Sequence, residues 1–183
     1  MRLSNAIIFL LLSFSFNSCS DNNISIINSK TIDEKIIFEV EYTNWAWGYQ
    51  HFGYFIDTTG DVHSYDLGTS NITLYDTSFD YYSEEYLRAK FNHADTLRRT
   101  VNHDSLRWSY TLARLVLPGP YSDRTNIGAD MGSISYYVYL YDPVVTKYHK
   151  ILLSQEGDWT FYNTQESAMV LVPWLKRVTG LYF

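Results

Sequence analysis

Hydrophobic and polar residues alternate along several stretches of the chain, the pattern of strands with one buried face. From Ile36 to Tyr42 every second residue is large and apolar, and two glutamates lie between them. Residues 133–141 repeat the pattern, with Ile134 and Val138 on one face and tyrosines on the other. The alternation and the turn residues between these stretches predict six strands, at residues 36–42, 54–56, 62–65, 133–141, 148–153 and 159–162.

Three other stretches carry apolar residues three and four positions apart, the spacing of one helix face. Ser83 is a good N-cap for the first, and acidic residues follow it in the first turn. Gly180 is expected to end the third, in which Pro173 should introduce a kink or a break. The three faces are formed by Leu87, Phe91, Ala94, Leu97 and Val101; by Leu106, Tyr110, Ala113 and Leu117; and by Ala168, Leu171, Leu175 and Val178.

The predicted order of elements is β-β-β-α-α-β-β-β-α. Runs of like elements joined by hairpins indicate an antiparallel sheet with helices packed on one side, an α+β fold. Because the two groups of strands lie far apart in the sequence, the sheet is either continuous or split in two.

The N-terminal residues have the features of an export signal. Arg2 precedes an uncharged apolar stretch of eleven residues, 6–16. A bilayer core needs about 20 residues for a spanning helix, whereas the apolar region of a signal peptide has about 7–15. The stretch ends in Asn17, Ser18 and Cys19.

This ending resembles the lipobox of bacterial lipoprotein signals, in which an aliphatic residue and two small residues precede a cysteine. Ser18 fits the position directly before the cysteine. The resemblance implies that the signal is cut before Cys19 and that its sulfur carries a diacylglyceryl group. It further implies a palmitate-labelled protein of the cell envelope. Because Ser20 follows the cysteine rather than Asp, the outer membrane is expected in a Gram-negative host.

The chain is therefore expected to have three segments: a lipoprotein signal peptide at 1–18, a lipidated tether at 19–30, and a single globular domain at 31–183. Asparagine and serine are frequent in the tether, as in flexible linkers. Cys19 is the only cysteine, so no disulfide forms within the chain and the domain must be stabilised by its core.

The charge of the mature chain excludes some partners. Of the 14 basic and 20 acidic residues only Arg2 lies in the signal, so the net charge changes from −6 to about −7 when the signal is removed. Nucleic acids and anionic lipids are both bound by clustered Lys and Arg. We therefore expect no nucleic-acid partner, and contact with the membrane through the lipid on Cys19 alone.

No residue pattern predicts a catalytic centre, a cofactor or a metal site. The Gly-x-Ser-x-Gly elbow of serine hydrolases is absent, and none of the five histidines has His-x-x-x-His spacing. Asp57, Asp61 and Asp66 lie near one predicted hairpin and could form paired carboxylates. Aspartates are common at turns because they hydrogen-bond to the turn backbone, so we interpret residues 57–61 as a turn.

Aromatic residues are unusually dense in the first half of the chain. Seven of the fourteen residues from 42 to 55 are aromatic. If the chain is extended there, Trp45, Trp47 and Tyr49 share one face. Flat rings with a polar tip suit contacts with sugars, peptides and proteins, so these three residues are candidate ligand-binding residues.

Tyr137, Tyr139 and Tyr141 form a second one-sided row and are candidates for the same reason. Either row could instead pack beneath the helices or stabilise pairs across strands.

From these features we expect a non-enzymatic module that binds a protein or carbohydrate ligand in the envelope. The alternative is a small hydrolase that uses carboxylates and histidine, which would show a pocket with converging titratable groups. A third class is an accessory subunit, which an extended exposed apolar patch would favour.

Overall fold

The computed structural model describes residues 35–68 and 80–181, so the predicted signal, the tether and Cys19 lie outside the described residues. The described residues belong to one compact unit, Thr31–Phe183. Their elements are β1 (Ile36–Asn44), β2 (Gln50–Ile56), β3 (Asp61–Asp66), β4 (Tyr81–Tyr82), α1 (Glu84–Phe91), β5 (Ala94–Thr100), α2 (His103–Ala113), β6 (Thr125–Asn126), β7 (Ser133–Asp142), β8 (Lys147–Gly157), β9 (Trp159–Tyr162) and α3 (Glu166–Thr179).

The strands form one sheet in the order β5-β3-β2-β1-β7-β8-β9-β6, with β4 beside β8. Paired strands run antiparallel. β1 lies between β2 and β7, so that Glu39 is opposite Phe55 on one side and Tyr137 on the other. The α+β class is confirmed, and the pairing of β1 with β7 joins the two predicted groups of strands into one sheet.

Helices α2 and α3 cover the same face of the sheet, as the sequence predicted for all three helices. Phe38 of β1 lies between them, with its ring centroid 5.9 Å from that of Tyr110 and 5.0 Å from that of Trp174. The core on this face includes Ile36, Val40, Ile56, Val62, Leu106, Ala113, Ile134, Tyr136, Val138, Ile151, Leu153, Leu171 and Leu175.

Helix α1 differs from the other two because it packs on the opposite face of the sheet. Its Leu87 and Phe91 join a second cluster of buried residues with Phe55, Tyr65, Leu67, Tyr82, Tyr139 and Tyr148. Both faces of the central strands are therefore covered, and Glu39 and Glu41 on one face of β1 are buried like Phe38 and Val40 on the other.

Helix α1 is also shorter than predicted. It ends at Phe91, and residues 94–100, expected to continue the helix, form β5 and pair with β3. Leu97, placed by the prediction on the apolar helix face, is 56% exposed. Without β5, the outer backbone groups of β3 would lack these hydrogen bonds. The adjacent Arg98 and Arg99 are typical of an edge strand, where charge discourages further pairing.

Helices α2 and α3 agree more closely with the sequence pattern. The side chain of Asn102 accepts a hydrogen bond from the N–H of Asp104 at the start of α2. Helix α3 continues through Pro173 without being split, and it stops at Gly180, which has φ +73°. No helix in residues 35–68 or 80–181 is long and apolar enough to cross a membrane.

Candidate functional site

The residues Trp45–Tyr49 connect β1 to β2, and we call this connection the aromatic turn. The side chain of Asn44 accepts a hydrogen bond from the N–H of Ala46 at 2.8 Å, and Gly48 adopts φ +96°, which favours glycine. The chain is therefore bent here rather than extended. Trp45 and Trp47 are 66% and 79% exposed, which is unusual for the largest apolar side chains.

Tyr49 connects the aromatic turn to the interior of the domain. Its ring centroid lies 4.3 Å from that of Trp45. Its hydroxyl lies 2.7 Å from Nδ1 of His51, and Nε2 of His51 lies 2.5 Å from Oε1 of Glu41. A neutral imidazole protonated on Nε2 satisfies both contacts, because it donates to Glu41 and accepts from the Tyr49 hydroxyl.

Glu41 belongs to a group of charged residues between α1 and the sheet, which we call the buried charge network: Glu39, Glu41, His51 and Lys90. Each of the four is at most 3% exposed. Nζ of Lys90 lies 2.6 Å from Oε1 of Glu39 and 2.9 Å from Oε1 of Glu41. Glu39 also accepts hydrogen bonds from the hydroxyls of Tyr65 and Tyr139. One lysine of α1 thus joins two carboxylates of β1.

The electrostatics of the network follow from burial and pairing. Burial raises the pKa of Glu41, but Lys90, Lys150 and His51 together bring it well below its ordinary value. Burial lowers the pKa of Lys90, and the two glutamates reverse this effect and raise it above its ordinary value. Burial and the nearby glutamates raise the pKa of Tyr65 and Tyr139 well above the ordinary value. The network therefore holds charged Glu41 and Lys90 beside neutral phenols.

Sequence reasoning missed the buried charge network. Glu39 and Glu41 alternate with apolar residues, which is the pattern of a solvated strand face. A signal was present in Lys90, which lies three residues after Leu87 and four before Ala94, on the apolar stripe of the predicted helix. A lysine at such a position is buried only when it is paired, and that could have suggested a buried carboxylate.

The structure separates the three tyrosines of the second row. Tyr139 is buried, and its hydroxyl donates to Glu39 at 2.5 Å. Tyr137 and Tyr141 are half-buried and lie under cations, with Lys150 Nζ 3.8 Å and Lys35 Nζ 4.2 Å from their ring centroids. Tyr137 and Lys150 also line a small cavity of about 240 Å³. The row therefore presents two partly covered rings rather than a continuous aromatic surface.

The three aspartates considered as paired carboxylates are not brought together. Asp57 and Asp61 lie at the turn between β2 and β3, where Oδ1 of Asp57 accepts hydrogen bonds from the N–H groups of Thr59 and Asp61. Asp66 lies at the other end of β3, opposite Phe52.

Asp57, Asp61 and His63 are the one group of three potential metal ligands that lies close together in the described ranges, with ligand atoms within 4.8 Å of one another. Oδ1 of Asp57 is occupied by the turn, and Oδ1 of Asp61 accepts from the Thr100 hydroxyl at 2.6 Å. These hydrogen bonds explain why the three side chains lie close together: both aspartates stabilise the hairpin and its contact with β5.

Comparisons of the chain with protein-family models, with curated proteins and with solved structures find no match.

Proposed function

We propose that this chain is a lipid-anchored envelope protein whose domain is a non-enzymatic binding module, with the aromatic turn as its contact site. The exposure of Trp45 and Trp47 carries the proposal. The chain is able to bury tryptophan, because Trp174 is 3% exposed and its indole N–H donates to the Ser105 hydroxyl. Two adjacent exposed tryptophans are therefore better explained by a contact with another molecule than by a lack of room in the core.

The contacts that fix the aromatic turn to the domain support a binding role. Rings held in place before binding lose less conformational freedom when a ligand arrives, which favours affinity. Trp45 packs on Tyr49, which is linked through His51 to the buried charge network. The network thus holds the base of the turn while its outer rings remain accessible.

A hydrolase is the less favoured alternative. The closest carboxylate–histidine pair in the described part of the chain, Glu41 with His51, is almost completely buried and is engaged by Lys90 and Tyr49. A more accessible pair, Asp57 with His63, is separated by 3.3 Å and uses its aspartate to hold a turn. A third, His103 with Asp104, is 3.8 Å apart at the exposed start of α2. The first two pairs are thus engaged by other groups.

Asp57 also lines a cavity of about 470 Å³, together with Lys35, Glu84, Arg88 and Tyr148. Its carboxylate is engaged by the turn and by His63, and Glu84 is paired with Arg88. The carboxylates of this cavity are therefore held in other contacts rather than left free as a base, which places the hydrolase second.

Site-specific photocrosslinking of the full-length protein in its host tests the proposal. A photoreactive phenylalanine at position 47 should form adducts with an envelope component. The same residue at position 144, where Val144 is 88% exposed on the β7–β8 turn, should not. No adducts at position 47, or equal adducts at both positions, would contradict the proposal.

Two further measurements complete the test. The stability and affinity of Trp47→Ala separate binding from folding, and palmitate labelling of Cys19→Ala in cells tests the anchor. Trp47→Ala should change the stability of the domain by less than about 0.5 kcal/mol and weaken binding by about 2 kcal/mol or more if the residue is a hot spot. Labelled palmitate should enter the wild-type chain but not Cys19→Ala. Failure of the wild-type chain to take up label would exclude the lipid anchor without bearing on the binding role.

A further inference from the structure

The aromatic turn is part of a larger exposed surface at one end of the sheet. β1 ends at this end and β7 begins there, since Thr43 is opposite Ser133. β8 ends and β9 begins beside them, since Ser133 is opposite Gly157. Five large exposed apolar side chains lie on the connections at this end or at the first residue of β9, and we call them the apolar end: Trp45, Trp47, Ile127, Met131 and Trp159.

Hydrogen bonds join the connections to one another. The side chain of Asn44 donates to the carbonyl of Asp130 at 3.3 Å, and the Tyr42 hydroxyl donates to the carbonyl of Met131 at 3.1 Å. The N–H of Met131 donates to Oδ1 of Asp158 at 2.9 Å, and the N–H of Ile127 donates to the backbone carbonyl of Asp158 at 3.0 Å. The aromatic turn, the loop before β7 and the turn before β9 therefore form one braced surface.

The composition of the surface favours a protein over a carbohydrate. Tryptophan and methionine are enriched in protein interfaces, and Ile127 adds a branched aliphatic side chain that offers a sugar no flat stacking face. The exposed Asp130 and half-buried Asp158 border the surface, and the mature chain is acidic overall. Acidic groups around an apolar centre complement a partner with basic residues around its own apolar face.

The charge of the surface argues against an anionic bilayer or a second copy of the chain. The chain enters the sheet at Lys35, beside the start of β1, whereas the aromatic turn follows the end of β1. The nine residues of β1 separate these points by about 26 Å, at roughly 3.3 Å per residue. The predicted tether thus joins the domain at the end of β1 remote from the apolar end, but the 16 residues from Cys19 to Lys35 can extend further than this distance. The acidic border, rather than position, therefore disfavours contact with anionic lipid. Two copies would bring like net charges together.

We propose that the apolar end docks a different envelope protein, one whose contact face is apolar at the centre and basic at the rim. This inference rests on the proposed function and extends it by naming the class of ligand and by adding Ile127, Met131 and Trp159 to the site.

Photocrosslinking at three positions of the full-length protein in its host tests the inference. A photoreactive residue at position 47, 127 or 159 should give an adduct with the same protein, and one at position 144 should not. An adduct at position 47 with lipid, with glycan or with a second copy of the chain would overturn the inference and leave the binding role intact. No adduct at position 47 would overturn both.

The captured protein is then purified and titrated against the full-length lipoprotein in detergent micelles. Trp47→Ala should weaken binding at least about thirtyfold, and Ile127→Ala and Trp159→Ala at least about fivefold. Val144→Ala is the control and should bind like the wild type. Association should slow as salt is added, and Asp130→Asn should reduce this dependence. The inference would be overturned if none of the three variants weakened binding, or if the association rate did not change with salt.

Discussion

Lys90 shows at the scale of a single residue how this domain tolerates charge in its interior. Its ammonium lies between two carboxylates that are themselves almost inaccessible to water. Removing charges from water is costly, and their attraction offsets the cost only when the geometry is good and further hydrogen bonds are made. Tyr65 and Tyr139 make those further bonds to Glu39. The result is a lysine that fastens α1 to β1.

Replacing this lysine should be severe. Lys90→Met leaves two buried carboxylates without their cation, so we expect the free energy of unfolding to fall by about 3–5 kcal/mol, measured by urea denaturation. Arg88→Met in the same helix removes only an exposed ion pair with Glu84 and should have a much smaller effect. Adding Glu39→Gln and Glu41→Gln to Lys90→Met should restore part of the lost stability. Equal effects of Lys90→Met and Arg88→Met would contradict this account.

At the scale of the element, the segment after α1 shows how local and distant signals compete. Leu87, Phe91, Ala94, Leu97 and Val101 have helical spacing, yet the helix stops at Phe91. The residues that follow, including two threonines and two arginines, pair with β3. Leu87 and Phe91 lie on a real helix face. From Ala94 onward the chain instead satisfies the backbone hydrogen bonds of β3.

Two leucines distinguish the strand from the predicted helix. Leu97 is 56% exposed in β5, whereas Leu106 is completely buried in α2. Leu97→Ala should therefore lower the stability by less than about 1 kcal/mol, and Leu106→Ala by about 2–5 kcal/mol. A large loss for Leu97→Ala, in the range expected for Leu106→Ala, would favour the continuous helix. Thermal or urea unfolding of the two variants measures the difference.

At the scale of the whole molecule, the sheet is covered on both faces, and the two coverings differ in chemistry. The face under α2 and α3 is an apolar core, whereas the face under α1 combines tyrosines with the buried charge network. The first covering depends little on protonation. The second depends on charged Glu41 and Lys90 and on neutral tyrosines, so the stability of the domain should vary with pH at both extremes.

The direction of this dependence follows from the pKa shifts. Glu41 has a pKa lowered from 4.5 on folding, so its contribution is present above about pH 4.5 and is lost as the pH falls through the folded value. Lys90 has a pKa raised from 10.5, so its contribution is present below that pH and is lost as the pH rises through the folded value. Tyr65 and Tyr139, with pKa values raised from 10.0, act in the same direction as Lys90.

We therefore expect stability to decline below about pH 4.5 and above about pH 10. Urea denaturation of the wild type and Glu41→Gln at several pH values provides the measurement. The stability difference between the two proteins should shrink as the pH is lowered, because the wild type loses the benefit of the charged carboxylate. A difference that stays constant from pH 7 to pH 3 would contradict the role assigned to Glu41.

The sequence by itself determined the features that depend on neighbouring residues. Alternation predicted β1 and β7, turn residues located β3, β8, β9 and the last three residues of β2, and helical spacing predicted α2 and α3. These elements were sufficient for the α+β class. The density of rings drew attention to residues 45–49, where the structure shows two exposed tryptophans. Periodicity is a local property of a strand or helix, so it can be recognised without knowing which elements pack together.

Only the tertiary structure decided the features that depend on which distant segments meet. Glu39 and Glu41 have the sequence pattern of a solvated face, but α1, some fifty residues later, covers them and supplies Lys90 as their cation. β5 exists because β3 offers an edge, and the apolar end exists because β1, β7 and β8 bring their loops together. Burial, pairing and exposure are properties of the assembled sheet, and a local pattern does not contain them.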